Sequence, residues 1–156
     1  MRNRLERFLS IAALLCAVAC AAPTVYAGDC RPTVREGWVR LPPTGPAAKT
    51  AAIMAGYGRI VNTCAMPVVI VGASSPSFGS VMLHETRTAD GVSKMRHVPE
   101  LRVAPDGSVT FRPGGLHVML TKPRAPLKPG SRIVVEFALK GGGSLLGEFE
   151  VRKPEI

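Results

Sequence analysis

Aromatic residues are scarce in this 156-residue chain: one Trp, two Tyr and five Phe, 5% of the whole. So thin a share gives no stacking platform for single-stranded nucleic acid. The 20 Lys and Arg form no basic run; charge alone allows nucleic acid binding, but the export that the N-terminus signals argues against it, and no nucleic acid is expected as a partner. Cysteine is scarce as well. There are four, Cys16, Cys20, Cys30 and Cys64, and no Cys-x-x-Cys that would make a thioredoxin-type centre. Nucleophile elbow, zinc-enzyme motif and paired-carboxylate signature are all missing, which removes the commoner hydrolase chemistries; the chain does not read as an enzyme. Only one apolar stretch is long, Phe8 to Ala22, and it is short for a membrane span.

That stretch is better read as the core of an export signal. Arg2, Arg4 and Arg7 precede it, and Val25-Tyr26-Ala27 follows with small residues where a signal peptidase reads. Cleavage after Ala27 is expected, giving a signal peptide over 1–27 and one periplasmic domain over 28–156. A lipoprotein signal at Ala17-Val18-Ala19-Cys20 is the alternative, with Cys20 as the lipidated residue. Removing three Arg and Glu6 leaves 17 basic and 10 acidic residues, a net charge of +7. Such a surface steers association with an acidic protein or an anionic membrane face. Cys30 and Cys64 remain in the exported part, where two cysteines are most simply a disulfide.

The pattern is β throughout. Strands are expected at Thr33–Arg40, Ala52–Asn62, Val68–Ala73, Val81–Arg87, Val92–Val98, Ser108–Arg112, Leu116–Thr121, Arg132–Leu139 and Leu145–Val151. Between them stand turn signals: Pro42-Pro43 with Gly45-Pro46, Ser74–Gly79, Ala89-Asp90-Gly91, Pro105-Asp106-Gly107, Pro113-Gly114-Gly115, Pro129-Gly130 and Gly141–Gly143. Short strands at this spacing predict a sandwich or barrel, with no helix and no internal repeat.

Four residues carry the chemistry. Ten residues separate His84 from Met95, 21 separate Met95 from His117, and one separates His117 from Met119. Thioether sulfur is a soft ligand suited to Cu(I), and imidazole suits copper too. Strand alternation puts His117 and Met119 on one face, opposite Leu116, Val118 and Leu120. His84 shares a face with Met82 and Thr86, and Met95 shares one with Ser93 and His97. Three strands thereby bring their soft faces toward one end of the fold.

His-x10-Met-x21-His-x-Met resembles the signature of periplasmic copper chaperones of the PCuAC type, which supply copper to the CuA centre of cytochrome c oxidase. Flanking segments are similar to that family: Ala55-Gly56-Tyr57, Val71-Gly72-Ala73-Ser74-Ser75-Pro76, Leu83-His84-Glu85-Thr86, Gly91-Val92-Ser93-Lys94-Met95-Arg96 and Pro113-Gly114-Gly115-Leu116-His117-Val118-Met119-Leu120. The likeness runs from Trp38 to Arg152. For this known spacing, chance occurrence in a chain of this composition is on the order of one in ten thousand. The resemblance implies a cupredoxin-like β-sandwich holding Cu(I) through His84, Met95, His117 and Met119 near the surface. It implies delivery by ligand exchange to a copper-accepting partner, such as the CuA domain or another copper assembly factor. Two departures stand out. The chain stops at Ile156 without the Met/His-rich tail of some members, so a second, tail-borne copper site is not expected. His97 occupies a position where many members carry a non-ligating residue; the simpler reading is a surface histidine.

Other readings differ by class. A blue-copper electron carrier needs a thiolate beside two His, and neither Cys30 nor Cys64 lies in the His117–Met119 segment. A periplasmic copper-buffering or tolerance protein would use the same site. An exported β-sandwich interaction module would bind no metal at all. Trp38 and Tyr57 read as core or rim aromatics, and Glu85, Arg96 and Glu148 as solvated residues.

Overall fold

The computed structural model describes residues 30–42 and 53–153. The signal segment over 1–27, the Cys20 anchor, the turn from Pro43 to Pro46, the strand start at Ala52 and the last three residues lie outside the described residues. Ten strands are present: β1 (Thr33–Arg40), β2 (Met54–Asn62), β3 (Val68–Ser74), β4 (Phe78–Ala89), β5 (Val92–His97), β6 (Leu101–Val103), β7 (Gly107–Phe111), β8 (Leu116–Pro123), β9 (Arg132–Leu139) and β10 (Ser144–Arg152). Among the described residues there is no helix, hence none long and apolar enough to cross a membrane.

The alternation that named the strands also builds the core. In β9 and β10 every second residue is buried, and the residues between face solvent. Ile133, Val135 and Phe137 meet Leu145, Phe149 and Val151 inside, together with Val39, Ile60, Ile70, Val118 and Leu120. Hydrogen bonding runs in the order β4-β8-β2-β1-β10-β9-β3, and a β3–β4 pairing at Ala73 and Val81 returns the path to its start. Seven strands therefore close a barrel, and the expected all-β, cupredoxin-like fold is present. All pairings are antiparallel except β1 with β10. Closure matters for function because it leaves β5 as an appended strand, bonded only to β4.

Two details differ from the sequence reading. β6 is only three residues long and sits between Pro99 and Pro105, too short for alternation to register. β4 begins at Phe78 rather than Val81, because Phe78 buries its ring and pairs with Pro123. Near the start of β1 a bulge shifts the register between Arg35 and Trp38, with Glu36 at a φ of 56°. Gly37 follows it, and a Cβ there would collide with the Glu148 carbonyl oxygen, so only glycine lets β1 approach β10.

At the end of β2 remote from Met54, Cys30 and Cys64 form the expected disulfide, with a Cα–Cα distance of 5.6 Å. Beside it the fully buried Asn62 donates to the carbonyls of Met66 (2.9 Å) and Ala104 (3.0 Å), and its Oδ1 accepts from the Cys64 amide (3.1 Å). Buried amides of this kind are retained because all their groups are paired. Cys30, the β2–β3 turn and the β6–β7 turn are tied together there, about 27 Å along β2 from its other end.

Candidate metal centre

β4 lies between β5 and β8, and the registers place residues directly opposite one another. Across β4 and β8, His84 faces His117 and Met82 faces Met119. Across β4 and β5, His84 faces His97 and Thr86 faces Met95. Opposed residues of an antiparallel pair share a face. His84, Met95, His117 and Met119 are therefore on one side of this three-stranded sheet, joined by Met82 and His97. Leu83, Val118 and Leu120, on the other side, are core.

The local sequence explains the geometry. Ala89 pairs with Val92 around Asp90-Gly91, both at positive φ (53° and 75°), which is the two-residue turn that matches strand twist. That turn fixes the β4–β5 register and so sets Met95 and His97 against Thr86 and His84. At Pro113-Gly114-Gly115 the chain reverses into β8, and Gly115 accepts a hydrogen bond from His117 Nδ1 (2.9 Å). With the proton on Nδ1, His117 Nε2 keeps a lone pair for a metal.

His84 is the telling residue. Among the described residues, the buried side-chain polar atoms without a hydrogen-bond partner are Arg59 Nε and both ring nitrogens of His84. An unpartnered buried polar group costs about 1–3 kcal/mol. Its imidazole titrates below the ordinary histidine range, because burial penalises the cation and the charges of His117 and His97 oppose it. A neutral ring with an unengaged nitrogen lone pair in an enclosed place is what a soft cation needs. The ring centroids of His84 and His117 are 6.1 Å apart. A metal about 2.0 Å from a ring nitrogen lies about 3.2 Å from that ring's centroid, so two rings sharing one ion stand within about 6.4 Å.

Exposure grades across the site. His117 is 6% exposed, Met119 is half-buried and Met95 is 56% exposed. Met95, His117 and Met119 line one cavity of about 210 Å³, closed by Arg40, Leu41, Pro42, Ile53, Met54 and Ala55. Sequence alone does not reveal those wall residues, because their contribution depends on the end of β1 and the start of β2 lying beside β8. Met82, on the same face as His84 by strand alternation, stands opposite Met119. The donor set belongs to a soft site: among the described residues no three His, Cys, Asp or Glu gather as a metal cluster. Convergence appears only when thioethers count. Cys30 and Cys64, the two cysteines among the described residues, are bonded to each other at the far end of β2, so neither supplies the thiolate that a blue-copper centre requires.

The opposite face of the β4–β5 hairpin is polar. Glu85 receives Arg96 (2.6 Å) and Arg87 (3.0 Å), and these guanidinium hydrogen bonds hold its carboxyl below the usual range. Glu85 and Arg96, read from sequence as solvated residues, stay solvent-accessible and also form a cross-strand pair. Glu148 is likewise paired, with Arg132, though both stay exposed. Trp38 packs on Tyr57 with ring centroids 4.6 Å apart, while Arg40 lies over Tyr57 and Arg152 over Trp38.

Solved PCuAC domains share this β-barrel fold. The chain resembles the copper-bound PCuAC domain from PmoF2, with a TM-score of 0.60 and 21% identity over 78% of this chain and 92% of that one. At that identity the likeness establishes the fold. It resembles Cu(I)-DR1885 from Deinococcus radiodurans at 26% identity, with a TM-score of 0.58 over 81% and 83% of the two chains. Among curated proteins, "Putative lipoprotein Lxx21020" of Leifsonia xyli is 29% identical over 143 residues, 91% of this chain and 86% of the relative. "Uncharacterized protein RP573" of Rickettsia prowazekii is 30% identical over 103 residues, 65% of this chain and 56% of the relative.

The chain belongs to the LpqE-like family, whose sequence model, described as "Putative lipoprotein LpqE-like", matches residues 32–151. The resemblance to PCuAC-type copper chaperones drawn from its motif is borne out by that family and by the structural likenesses.

Proposed function

We propose that this protein is an exported copper metallochaperone that binds one Cu(I) through His84, Met95, His117 and Met119 and passes it on by ligand exchange. The observation that carries this is His84: two enclosed, unpartnered ring nitrogens opposite His117, on a face shared with the two thioethers. The copper-bound states of PmoF2 and DR1885 support the choice of metal. Thioethers suit an oxidising compartment, where free thiols are lost to disulfides. The four ligands are neutral, so the loaded site carries about one positive charge and yields its ion to a partner offering more or stronger ligands.

Export is supported by the Arg-flanked apolar segment and by the lipoprotein names of the family and of the Leifsonia relative. Those names favour neither cleavage after Ala27 nor lipidation at Cys20 over the other; the mass of the mature N-terminus separates the two. The acceptor on this reading is a periplasmic copper protein, with the CuA domain of cytochrome c oxidase the first to try.

Anaerobic titration with Cu(I) against a chromophoric chelator tests the site. One equivalent is bound by wild type, and a His117→Ala/Met119→Ala variant binds at least a hundredfold more weakly. Mixing the loaded protein with the metal-free CuA domain then tests delivery. Copper moves to CuA if the protein delivers, and stays put if it buffers.

A further inference from the structure

The chain has three histidines in all, and all three stand in one row across three adjacent strands. His97 on β5 opposes His84 on β4, and His84 opposes His117 on β8. The spacing is even, with ring centroids 5.7 Å apart for His97–His84 and 6.1 Å for His84–His117. Both fall within the roughly 6.4 Å that lets two imidazoles share an ion. Yet β5 and β8 flank β4 on opposite sides, about 9.6 Å apart. Accordingly no three-histidine cluster forms among the described residues. The row is two overlapping pairs with His84 common to both.

Exposure falls along the row. His97 is open to solvent, His84 is half-buried with its nitrogens enclosed, and His117 is 6% exposed. Met95, two residues from His97 and 56% exposed, lines the same cavity as His117 and Met119.

The geometry points to His97 as a landing ligand: incoming Cu(I) is first held by the His97–His84 pair and then steps to the His84–His117 pair with its thioethers. This inference rests on the copper reading of the site. The exchange balances simply. A bond from copper to a donor ligand breaks as a bond to a neutral His97 ring nitrogen forms. His84 joins next. The copper–His97 bond then breaks as His117 and the methionine sulfurs close on the ion. Copper remains Cu(I) throughout, and each nitrogen or sulfur supplies its own lone pair, so no electron and no proton need move. His97 is thus a transit residue and not a member of the final ligand set.

The two roles separate in kinetics against equilibrium. Cu(I) presented as its bicinchoninate complex is mixed anaerobically with wild type, His97→Ala and His97→Gln in stopped flow, and each affinity is measured by chelator competition. Landing predicts capture at least fivefold slower in both variants, with affinity within fivefold of wild type. Capture slowed less than fivefold overturns the inference, and so does an affinity loss beyond fivefold, which would make His97 a resident ligand. Wild type that takes up no copper would instead sink the proposed function itself. His97 is exposed on an edge strand, so both variants are expected to fold, which their amide spectra verify.

Discussion

His84 is an imidazole that the barrel encloses without giving it a partner. Its cost to the metal-free protein has a pH signature. An unfolded histidine titrates near 6.5, and burial holds folded His84 below that. The unfolded chain therefore binds the extra proton first as pH falls. Stability linked to neutral His84 is fully present above about pH 6.5 and drains away as pH falls through the depressed folded value. The metal-free domain should show a falling urea midpoint between pH 7 and pH 5, and His84→Gln should flatten that decline. An equal decline in the variant would place the titration elsewhere. Side-chain identity alone does not reveal this property: from sequence His84 is one spaced ligand among four, and its isolation needs the enclosure that β5 and β8 provide.

At the scale of elements, β5 stands apart from the barrel that β4 helps to close. Asp90-Gly91 turns the hairpin, and nothing lies within 4 Å of a Cβ added at Gly91, so substitution there meets only the left-handed backbone cost at φ 75°. For a β-branched residue that is about 1–2 kcal/mol. Gly91→Val should speed amide exchange in β5 by about tenfold and leave β9 and β10 unchanged. Gly37→Ala should act globally, because its Cβ would meet the Glu148 carbonyl and part β1 from β10; a loss of about 3 kcal/mol in denaturant is expected. Hydrogen exchange separates the two patterns, and uniform protection loss in Gly91→Val would contradict the appended-hairpin view. Nine of the strands were legible because each alternates over five or more residues or ends in a Gly, Pro or Asp-Gly turn. β6 was hidden by its three-residue length, and the early start of β4 by the apparent turn from Ser74 to Gly79. The site face was legible for the same reason as the strands, since period-two alternation pairs His117 with Met119 and His84 with Met82. What sequence could not give was neighbour order: β8 beside β4 is a pairing between segments distant in the chain, as is the cavity wall from Arg40 to Pro42.

Across the whole molecule, the His/Met face and the disulfide sit at opposite ends. The soft face lies near Met54, where β2 meets Leu120 and Met119, and the disulfide lies beyond Asn62. The Cys30–Cys64 bond closes a sequence separation of 34, worth about 3–4 kcal/mol by chain entropy. Cys30→Ala/Cys64→Ala should lose about that much stability yet keep its Cu(I) affinity at a temperature where it remains folded. A matching loss of affinity would tie the cysteines to the metal and revive a thiolate site. The arrangement suits a carrier: a closed barrel supplies rigidity, while an edge hairpin keeps Met95 at the surface where a partner can meet it.

The central claim is that one Cu(I) is held by these four side chains and no others. Its most direct test is the carbon–proton NMR spectrum of the methionine methyl groups, recorded with and without one equivalent of Cu(I) under anaerobic conditions. The account predicts that the Met95 and Met119 methyls shift strongly together with the ring signals of His84 and His117, while Met66, exposed in the turn after Cys64, stays fixed. Unmoved Met95 and Met119 signals, with copper bound elsewhere or not at all, would contradict it.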